Sequence, residues 1–235
     1  MDYKRNAKYF KALRLPPKGW LFLIATIGVL FAVKPPLAII GVLLFAAVRW
    51  CVYGGKPSES ELDAQAASFL EGIKNRAFMK LGVDEEEVSI AQPVEFWGYS
   101  FNGVLTDDAN RKAFYICGKD AKWRSSEVFT GGFYFSENVV HYYYKISSLV
   151  SDATKEGTEE YFYKDIVSVK TESSDKPYKD PKTGIEDDKK RVRYEGFVLR
   201  NSGGESTSCW VNDVATAEAA VSAFRSLLKQ KKMAS

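Results

Sequence analysis

The sequence predicts an α+β membrane protein: an N-terminal two-helix transmembrane hairpin, an amphipathic connector helix, and an antiparallel β-barrel or sandwich closed by a C-terminal helix. Three observations support this prediction. Residues 19–53 are almost wholly apolar, residues 58–82 repeat apolar positions every three or four residues, and from residue 87 the apolar positions recur every second residue. We therefore expect a basic cytoplasmic N-terminus over 1–18, a hairpin over 19–53, a connector over 58–82 and a β-rich cytoplasmic domain over 87–232.

Charge is distributed unevenly along the 235-residue chain. The net charge is only +3, yet residues 1–18 hold six basic side chains against one acidic side chain, and residues 54–235 are net acidic. A basic leader followed by an acidic bulk argues against nucleic acid as a partner and favours an anionic membrane face. The composition, 46% hydrophobic and 27% charged, excludes a disordered or collagen-like chain.

Residues 19–53 are predicted to form two short apolar helices joined at Lys34-Pro35-Pro36. Two consecutive prolines remove two backbone donors and disfavour a continuous helix through this point. Each arm is shorter than the roughly 20 residues that cross a bilayer, so charged side chains must snorkel and aromatic rings must lie at the interface. The predicted membrane-interface residues are Lys18, Trp20, Lys34, Arg49, Trp50 and Tyr53.

The basic residues also orient the predicted hairpin. Lys and Arg crowd its N-terminal flank, while the turn between the arms holds only Lys34, so the positive-inside rule places the N- and C-termini in the cytoplasm. The predicted localisation is a multi-pass protein of the inner or plasma membrane, with the lipid bilayer as one partner. Three alternatives stay open for this segment: a cleaved signal peptide, a re-entrant hairpin, and a helical hairpin buried in a globular core.

Residues 58–82 are predicted to form one amphipathic helix of roughly 24 residues. Ser58 and Glu61 have capping-box spacing, and Gly82 stands where a C′ glycine ends a helix. The apolar stripe has three alternative roles: packing on the following domain, pairing with a second copy, or lying on the membrane. Because the polar face carries charges of both signs, membrane adsorption is the weakest of the three.

Residues 87–232 are predicted to be strands followed by one helix. Short segments rich in aromatic and β-branched residues predict strands at 88–90, 94–97, 113–117, 128–130, 133–135, 139–146, 160–163, 166–169, 192–199 and 208–211. Turn residues at 136–138 and 201–204 indicate hairpins. Residues 171–190, rich in charge, are predicted to be a long exposed loop. After Asp213 the apolar spacing becomes helical.

Three segments of this region resemble the pleckstrin-homology-like domains of bacterial membrane proteins. They are the hairpin at 132–144, the strand at 161–169 and the helix at 219–229, and the resemblance covers about residues 120–232. It implies that the last helix plugs one open end of a bent sheet, and that the domain binds a partner or assembles with itself instead of catalysing a reaction. Residues 87–119 are extra strands outside that core. No basic phosphoinositide-type loop stands out, so lipid-headgroup binding is not implied.

Aromatic residues are concentrated between residues 129 and 163. Consecutive aromatic residues in a strand point to opposite faces, so some of them must be covered by something other than the core. One interpretation is an interaction surface, for which the candidate residues are Phe133, Phe135, Tyr142, Tyr144, Tyr161 and Tyr163. The alternative is a second layer of structure, such as the 58–81 helix, that covers these rings.

Few residues suggest catalysis or metal binding. His141 is the only histidine, so we expect no histidine-based triad, zinc site or acid–base pair of histidines, and we expect His141 to be a packing residue. Cys51, Cys117 and Cys209 lie far apart and are expected to be thiols. We expect no catalytic residue, no metal site and no cofactor.

These features predict a membrane-anchored, cytoplasm-facing binding or scaffold protein that binds a protein partner or a second copy of itself. An alternative function is a ligand-gated membrane effector, in which the β-domain senses a small ligand and the hairpin oligomerises to permeabilise the membrane. A third, an enzyme with a carboxylate or lysine site, has no support in the sequence. Nucleic acid is not an expected partner.

Overall fold

The structure is a computed structural model that describes residues 1–10, 39, 41–43, 45–47, 50, 54–105, 113–179, 186–211 and 214–234. The chain divides into two units, residues 2–58 and residues 59–235. In the first unit, helix α1 spans Tyr3–Phe10 and buries Asn6, Tyr9 and Phe10. The described residues between 39 and 50 are helical.

The predicted transmembrane hairpin over 19–53 is corrected by the structure. No helix among the described residues is long and apolar enough to cross a membrane. The longest of them, Val214–Ala234, is interrupted by Glu218, Arg225 and several lysines, so it lacks the apolar run that a bilayer requires. The predicted fold class, with its helical hairpin, and the predicted multi-pass localisation are therefore wrong. Most of residues 19–53, including the Lys34-Pro35-Pro36 junction, lie outside the described residues.

The second unit is mostly β-sheet with few helices. Its helices are α2 (Glu59–Ser68), α3 (Ile73–Leu81) and α4 (Val214–Ala234). Its strands are β1 (Val94–Ser100), β2 (Tyr115–Cys117), β3 (Trp123–Ser125), β4 (Glu127–Phe135), β5 (Val139–Ser148), β6 (Thr154–Phe162), β7 (Ile166–Lys179), β8 (Glu186–Asn201) and β9 (Ser206–Val211). Residues 88–90, predicted to be a strand, form only an isolated bridge between Ser89 and Phe135.

The strands form open antiparallel sheets. The larger sheet has the order β1-β4-β5-β6, the second has the order β7-β8-β9, and β2 pairs with β3 as a separate hairpin. Each of the two larger sheets turns one face towards a shared core, because every second residue of a strand points to the same side. This core contains residues of β1, β4, β5, β7, β8, β9 and α4.

Helix α4 packs on the core through residues at helical spacing, namely Val221, Phe224, Leu227 and Leu228. The Phe224 ring lies 5.4 Å from the Phe133 ring and 5.1 Å from the Phe135 ring, centroid to centroid. The Arg225 Nε donates to the carbonyl oxygen of Val169 at 2.7 Å. The helix is thereby joined to both sheets.

Part of the outer face of the larger sheet is covered by α3. Ile73 and Ala77 of this helix pack on Tyr134 and Tyr143, which lie on the face opposite to the core. The predicted single helix over 58–82 is in fact two, because the chain turns after Ser68 and Gly72 adopts a left-handed φ of 73°. Gly82 ends α3 with a φ of 68°, and its N–H donates to the carbonyl of Phe78, as a C′ glycine does.

The segment predicted to be a long loop over 171–190 forms a strand ribbon instead. Strand β7 continues to Lys179 and β8 begins at Glu186, with residues 180–185 outside the described residues. Arg191 and Asp175 are joined across the ribbon by two hydrogen bonds of 2.6 and 2.9 Å. Opposite charges at cross-strand positions favour pairing of the two strands, which explains why a charged segment is extended here.

Candidate functional site

The six aromatic residues predicted to form an interaction surface lie inside the domain. Phe133, Phe135, Tyr142 and Tyr163 are buried, while Tyr144 and Tyr161 are partly buried and pack against the same core. The structure agrees with the alternative interpretation, in which other parts of the domain cover the consecutive rings. The core covers one face of the larger sheet, and α3 covers part of the other face.

The contacts of these rings are those of core residues. Phe133 stacks on Tyr142 with ring centroids 4.6 Å apart, and the Cys209 thiol donates to the Tyr142 hydroxyl at 3.4 Å. The Tyr163 hydroxyl donates to the carbonyl of Ser136 at 2.9 Å, and burial raises the pKa of Tyr163 to about 12. These hydroxyls are satisfied within the domain, so they do not need an outside partner.

Of the predicted membrane-interface residues, the structure describes only Trp50, which is helical and 76% exposed. The others, Lys18, Trp20, Lys34, Arg49 and Tyr53, lie outside the described residues.

A cleft of about 320 Å³ lies where the edge of the larger sheet meets the edge of the second sheet. Its lining comes from β1, the β2–β3 hairpin, β8 and β9. Five of the lining residues are aromatic and three are charged; the full lining is Tyr99, Phe101, Ala121, Lys122, Trp123, Arg193, Tyr194, Glu195, Trp210 and Val211. We call this the aromatic cleft.

The close approach of β1 to β9 below the aromatic cleft depends on Gly98. A Cβ atom at this position would lie 2.8 Å from the carbonyl carbon and oxygen of Trp210 and 2.9 Å from the backbone nitrogen of Val211. Real Cβ atoms do not approach backbone so closely, so only glycine permits this spacing. The absence of a side chain at Gly98 therefore brings the two edges together.

Three of the rings that line the cleft, those of Phe101, Tyr194 and Trp210, pack on one another. Tyr194 and Trp210 meet edge to face with centroids 4.4 Å apart, and Phe101 stacks on Tyr194 at 6.0 Å. On the far side of Phe101, the Tyr115 ring contacts it at 5.6 Å and the Tyr115 hydroxyl donates to its carbonyl at 3.0 Å. Because these three lining rings pack on aromatic neighbours, the wall that they form is preformed.

Two exposed cationic side chains lie at the cleft. The side chains of Lys122 and Arg193 are exposed, and neither forms an ion pair with any residue in the described part of the chain. Glu195 is half-buried and its carboxylate accepts a hydrogen bond from the Ser173 hydroxyl at 2.5 Å. Arg193 also lies opposite Asp175 across the β7–β8 ribbon and interacts with it electrostatically. The cleft therefore combines apolar rings with two exposed cations and one half-buried carboxylate.

A buried ion-pair network supports the wall made by the β2–β3 hairpin. Arg124 is only 1% exposed, and its guanidinium donates to both carboxylate oxygens of Asp63 and of Asp120 at 2.6 to 2.9 Å. The Tyr99 hydroxyl also donates to Asp63, at 2.7 Å. Hydrogen bonding from Arg124 lowers the pKa of Asp120 to about 2, and the two carboxylates raise the pKa of Arg124.

No sequence pattern marks the aromatic cleft. Its residues come from four separate segments, so no motif or spacing marks them. The one local signal is Arg193-Tyr194-Glu195, in which two charges flank an aromatic residue within a predicted strand. That pattern is also common on ordinary sheet surfaces, and only the close approach of β1 and β9 turns it into a cleft.

No family model, no curated protein and no solved structure matches the chain. The function of the aromatic cleft is therefore inferred from its own geometry.

Proposed function

We propose that residues 59–234 form a binding domain whose aromatic cleft receives a segment of a protein partner. The observation that carries this proposal is the composition of the cleft: five aromatic residues, an arginine, a lysine and a glutamate line one concave site. Tyrosine, tryptophan and arginine are the residue types that dominate the binding energy of protein interfaces. The resemblance to pleckstrin-homology-like domains belongs to the same proposal, and the order of sheets and closing helix supports it.

The chemistry of the cleft indicates what the partner segment contains. The rings of Trp123, Tyr194 and Trp210 offer apolar and polarisable surface, which suits an aromatic or long aliphatic side chain. Lys122 and Arg193 offer positive charge at an exposed position, which suits a carboxylate. We therefore propose a short segment in which an acidic residue lies next to an apolar one.

A library of random peptides selected against the full chain tests this proposal. We expect selected peptides to pair an acidic residue with an aromatic one. The double variant Lys122→Glu, Arg193→Glu should bind them about tenfold more weakly, since each lost surface ion pair is worth up to about 1 kcal/mol. The matched control is Lys155→Glu, Arg200→Glu, which reverses two exposed cations outside the cleft and should not change the affinity.

Two results would contradict a protein-binding cleft. One is a selection that enriches no peptide; the other is a set of peptides that bind the cleft variant and the control variant equally well. A second copy of this chain is one form of protein partner, and light scattering of the purified protein tests it. A monomeric mass at all concentrations excludes self-assembly, and the partner is then a different protein.

A small planar acid is a second candidate ligand, because the cleft volume falls at the lower end of the range for small-molecule sites. A screen of aromatic carboxylates by ligand-observed NMR distinguishes the two. If small acids bind with the same sensitivity to the Lys122→Glu, Arg193→Glu change while no peptide does, the cleft is a small-molecule site.

A further inference from the structure

Ser136, His141 and Glu160 form a continuous chain of hydrogen bonds on the outer face of the larger sheet. The Ser136 Oγ lies 2.8 Å from the His141 Nε2, and the His141 Nδ1 lies 3.0 Å from the Glu160 Oε1. The sequence predicts that His141 is a packing residue and that the chain has no histidine-based triad. The structure places this histidine between a serine and a glutamate, with one ring nitrogen in contact with each.

Strand register places the three residues together. Ser136 lies in the turn between β4 and β5, where its N–H donates to the carbonyl of Val139 at 3.0 Å. His141 and Glu160 are directly paired across β5 and β6, so their side chains lie side by side on one face. His141 is 7% exposed, while the Glu160 side chain is 58% exposed.

The ionised glutamate determines which nitrogen of the histidine carries the proton. A carboxylate can only accept hydrogen bonds, so the neutral His141 must hold its proton on Nδ1 and donate it to Glu160. The Nε2 lone pair then accepts the hydroxyl proton of Ser136. The order is nucleophile, general base and orienting carboxylate, which is the arrangement that activates a serine for attack on an acyl group.

We propose that Ser136 is the nucleophile of an ester hydrolase site. The Ser136 Oγ attacks the ester carbonyl carbon while its proton passes to the His141 Nε2. The carbon–oxygen bond to the leaving alcohol breaks, the alcohol takes the proton from His141, and an acyl-Ser136 remains. Water then attacks the acyl group with His141 as base, which releases a carboxylic acid and restores the Ser136 hydroxyl.

The surroundings of Ser136 indicate a short apolar acyl group. Phe162, 53% exposed, pairs with Val139 two residues away from the Glu160–His141 pair on the same face. The Val139 carbonyl accepts the Ser136 N–H, so strand register places this apolar pair near the serine. The backbone N–H groups of Glu137 and Asn138 follow Ser136 in the turn and donate no hydrogen bond within the described part of the chain. They are the backbone donors closest in sequence to Ser136 for stabilising the oxyanion that forms when Ser136 attacks the ester.

Two reagents test the site on the full chain: p-nitrophenyl butyrate as substrate and a fluorophosphonate as a covalent probe, with the labelled residue located by peptide mass spectrometry. We expect labelling at Ser136 and ester hydrolysis, both abolished by Ser136→Ala. Glu160→Gln should slow labelling at least about 100-fold, because the charge that stabilises the imidazolium is lost. Glu160→Asp should recover part of that rate, whereas a purely structural role predicts no such recovery.

The matched control is Ser202→Ala, which removes the hydroxyl of an exposed turn serine that is distant from Ser136 in the sequence. It should leave the rates of labelling and of ester hydrolysis unchanged. Thermal unfolding of each variant separates loss of reactivity from loss of fold, and the exposed Glu160 should be replaceable without a lower unfolding temperature. Labelling of Ser136 no faster than that of Ser202 would overturn the proposal. Equal labelling rates for the parent protein and Glu160→Gln would overturn it as well.

Discussion

Asp63 and Arg124 are joined by two nearly parallel hydrogen bonds, Nε to Oδ1 at 2.8 Å and Nη2 to Oδ2 at 2.6 Å. Asp63 lies on α2 and Arg124 on β3, so this pair fastens the helix to the inserted β2–β3 hairpin. A second contact supports it, because the Glu59 carboxylate accepts the backbone N–H of Lys119 at 2.7 Å. The hairpin that carries Lys122 and Trp123 to the cleft is therefore held by α2.

Asp63→Ala should destabilise the domain by about 3 kcal/mol, because it leaves the buried Arg124 with one carboxylate instead of two. The free energy of unfolding in urea measures this loss. Asp152→Ala is the control, since it removes an exposed carboxylate in the β5–β6 turn and should change stability by less than about 0.5 kcal/mol. Equal losses in the two variants would show that the pair with Arg124 contributes little.

Gly98→Ala should cost about 2 kcal/mol of stability and weaken binding at the aromatic cleft. The added methyl group meets the backbone of Trp210 at 2.8 Å, and a rigid strand cannot yield as a flexible side chain can. Gly203→Ala serves as the control, because the nearest atom there is a side-chain oxygen at 3.4 Å. If both variants unfold at the same urea concentration, β1 and β9 are farther apart than described.

Stability should fall as the pH is lowered from about 4.5 to about 2. Hydrogen bonds from Arg76 and then Lys80 lower the pKa of Glu156 to about 2, below its unfolded value of 4.5. A lowered folded pKa contributes stability that is complete above the unfolded pKa and is lost as the carboxylate is protonated. Urea unfolding at pH 5 and pH 3 measures the change. Glu156→Gln should be less stable at pH 5 and less sensitive to acid; an unchanged acid sensitivity would argue against this ion pair.

Cys117 and Cys209 should differ in reactivity. Cys209 is fully buried and desolvation raises its thiol pKa, whereas Cys117 is partly exposed. Because the thiolate is the reactive form, iodoacetamide should modify Cys117 in the folded protein and Cys209 only after unfolding. Peptide mass spectrometry reads both sites in one sample. Rapid modification of Cys209 under native conditions would mean that the core opens near β9.

Much of the β-domain could be predicted because its strands have clear signals. Alternation in 139–146 and the turn at 136–138 correspond to β5 and to the Ser136 turn. The terminal helix was predicted from the spacing of Val221, Phe224 and Leu228, which are the residues that pack on the core. These signals are local, and local patterns survive in the fold when tertiary packing agrees with them.

The parts that could not be predicted depend on contacts between distant segments. Nothing in the sequence near Gly72 distinguishes a helix break from a tolerated helical glycine, and nothing near His141 indicates that Glu160 would be its cross-strand partner. The apolar composition of residues 19–53 favoured a transmembrane hairpin, yet the described helices include no candidate span. Hydropathy describes what a segment is made of, and it does not specify what the segment packs against.

The insertion between β1 and β4 has a consequence for how the chain folds. Strands β4, β5 and β6 follow one another through short turns, whereas residues 101–126 separate β1 from its partner β4. Contacts between near neighbours form at a lower entropic cost than contacts across a long loop. We expect the β4–β6 hairpins to form in the transition state and β1 to dock afterwards. Ile146→Val should therefore slow folding, while Phe96→Leu should mainly speed unfolding. Stopped-flow kinetics measures both rates for each variant. The opposite result, slower folding of Phe96→Leu and faster unfolding of Ile146→Val, would show that β1 docks before the β4–β6 hairpins form.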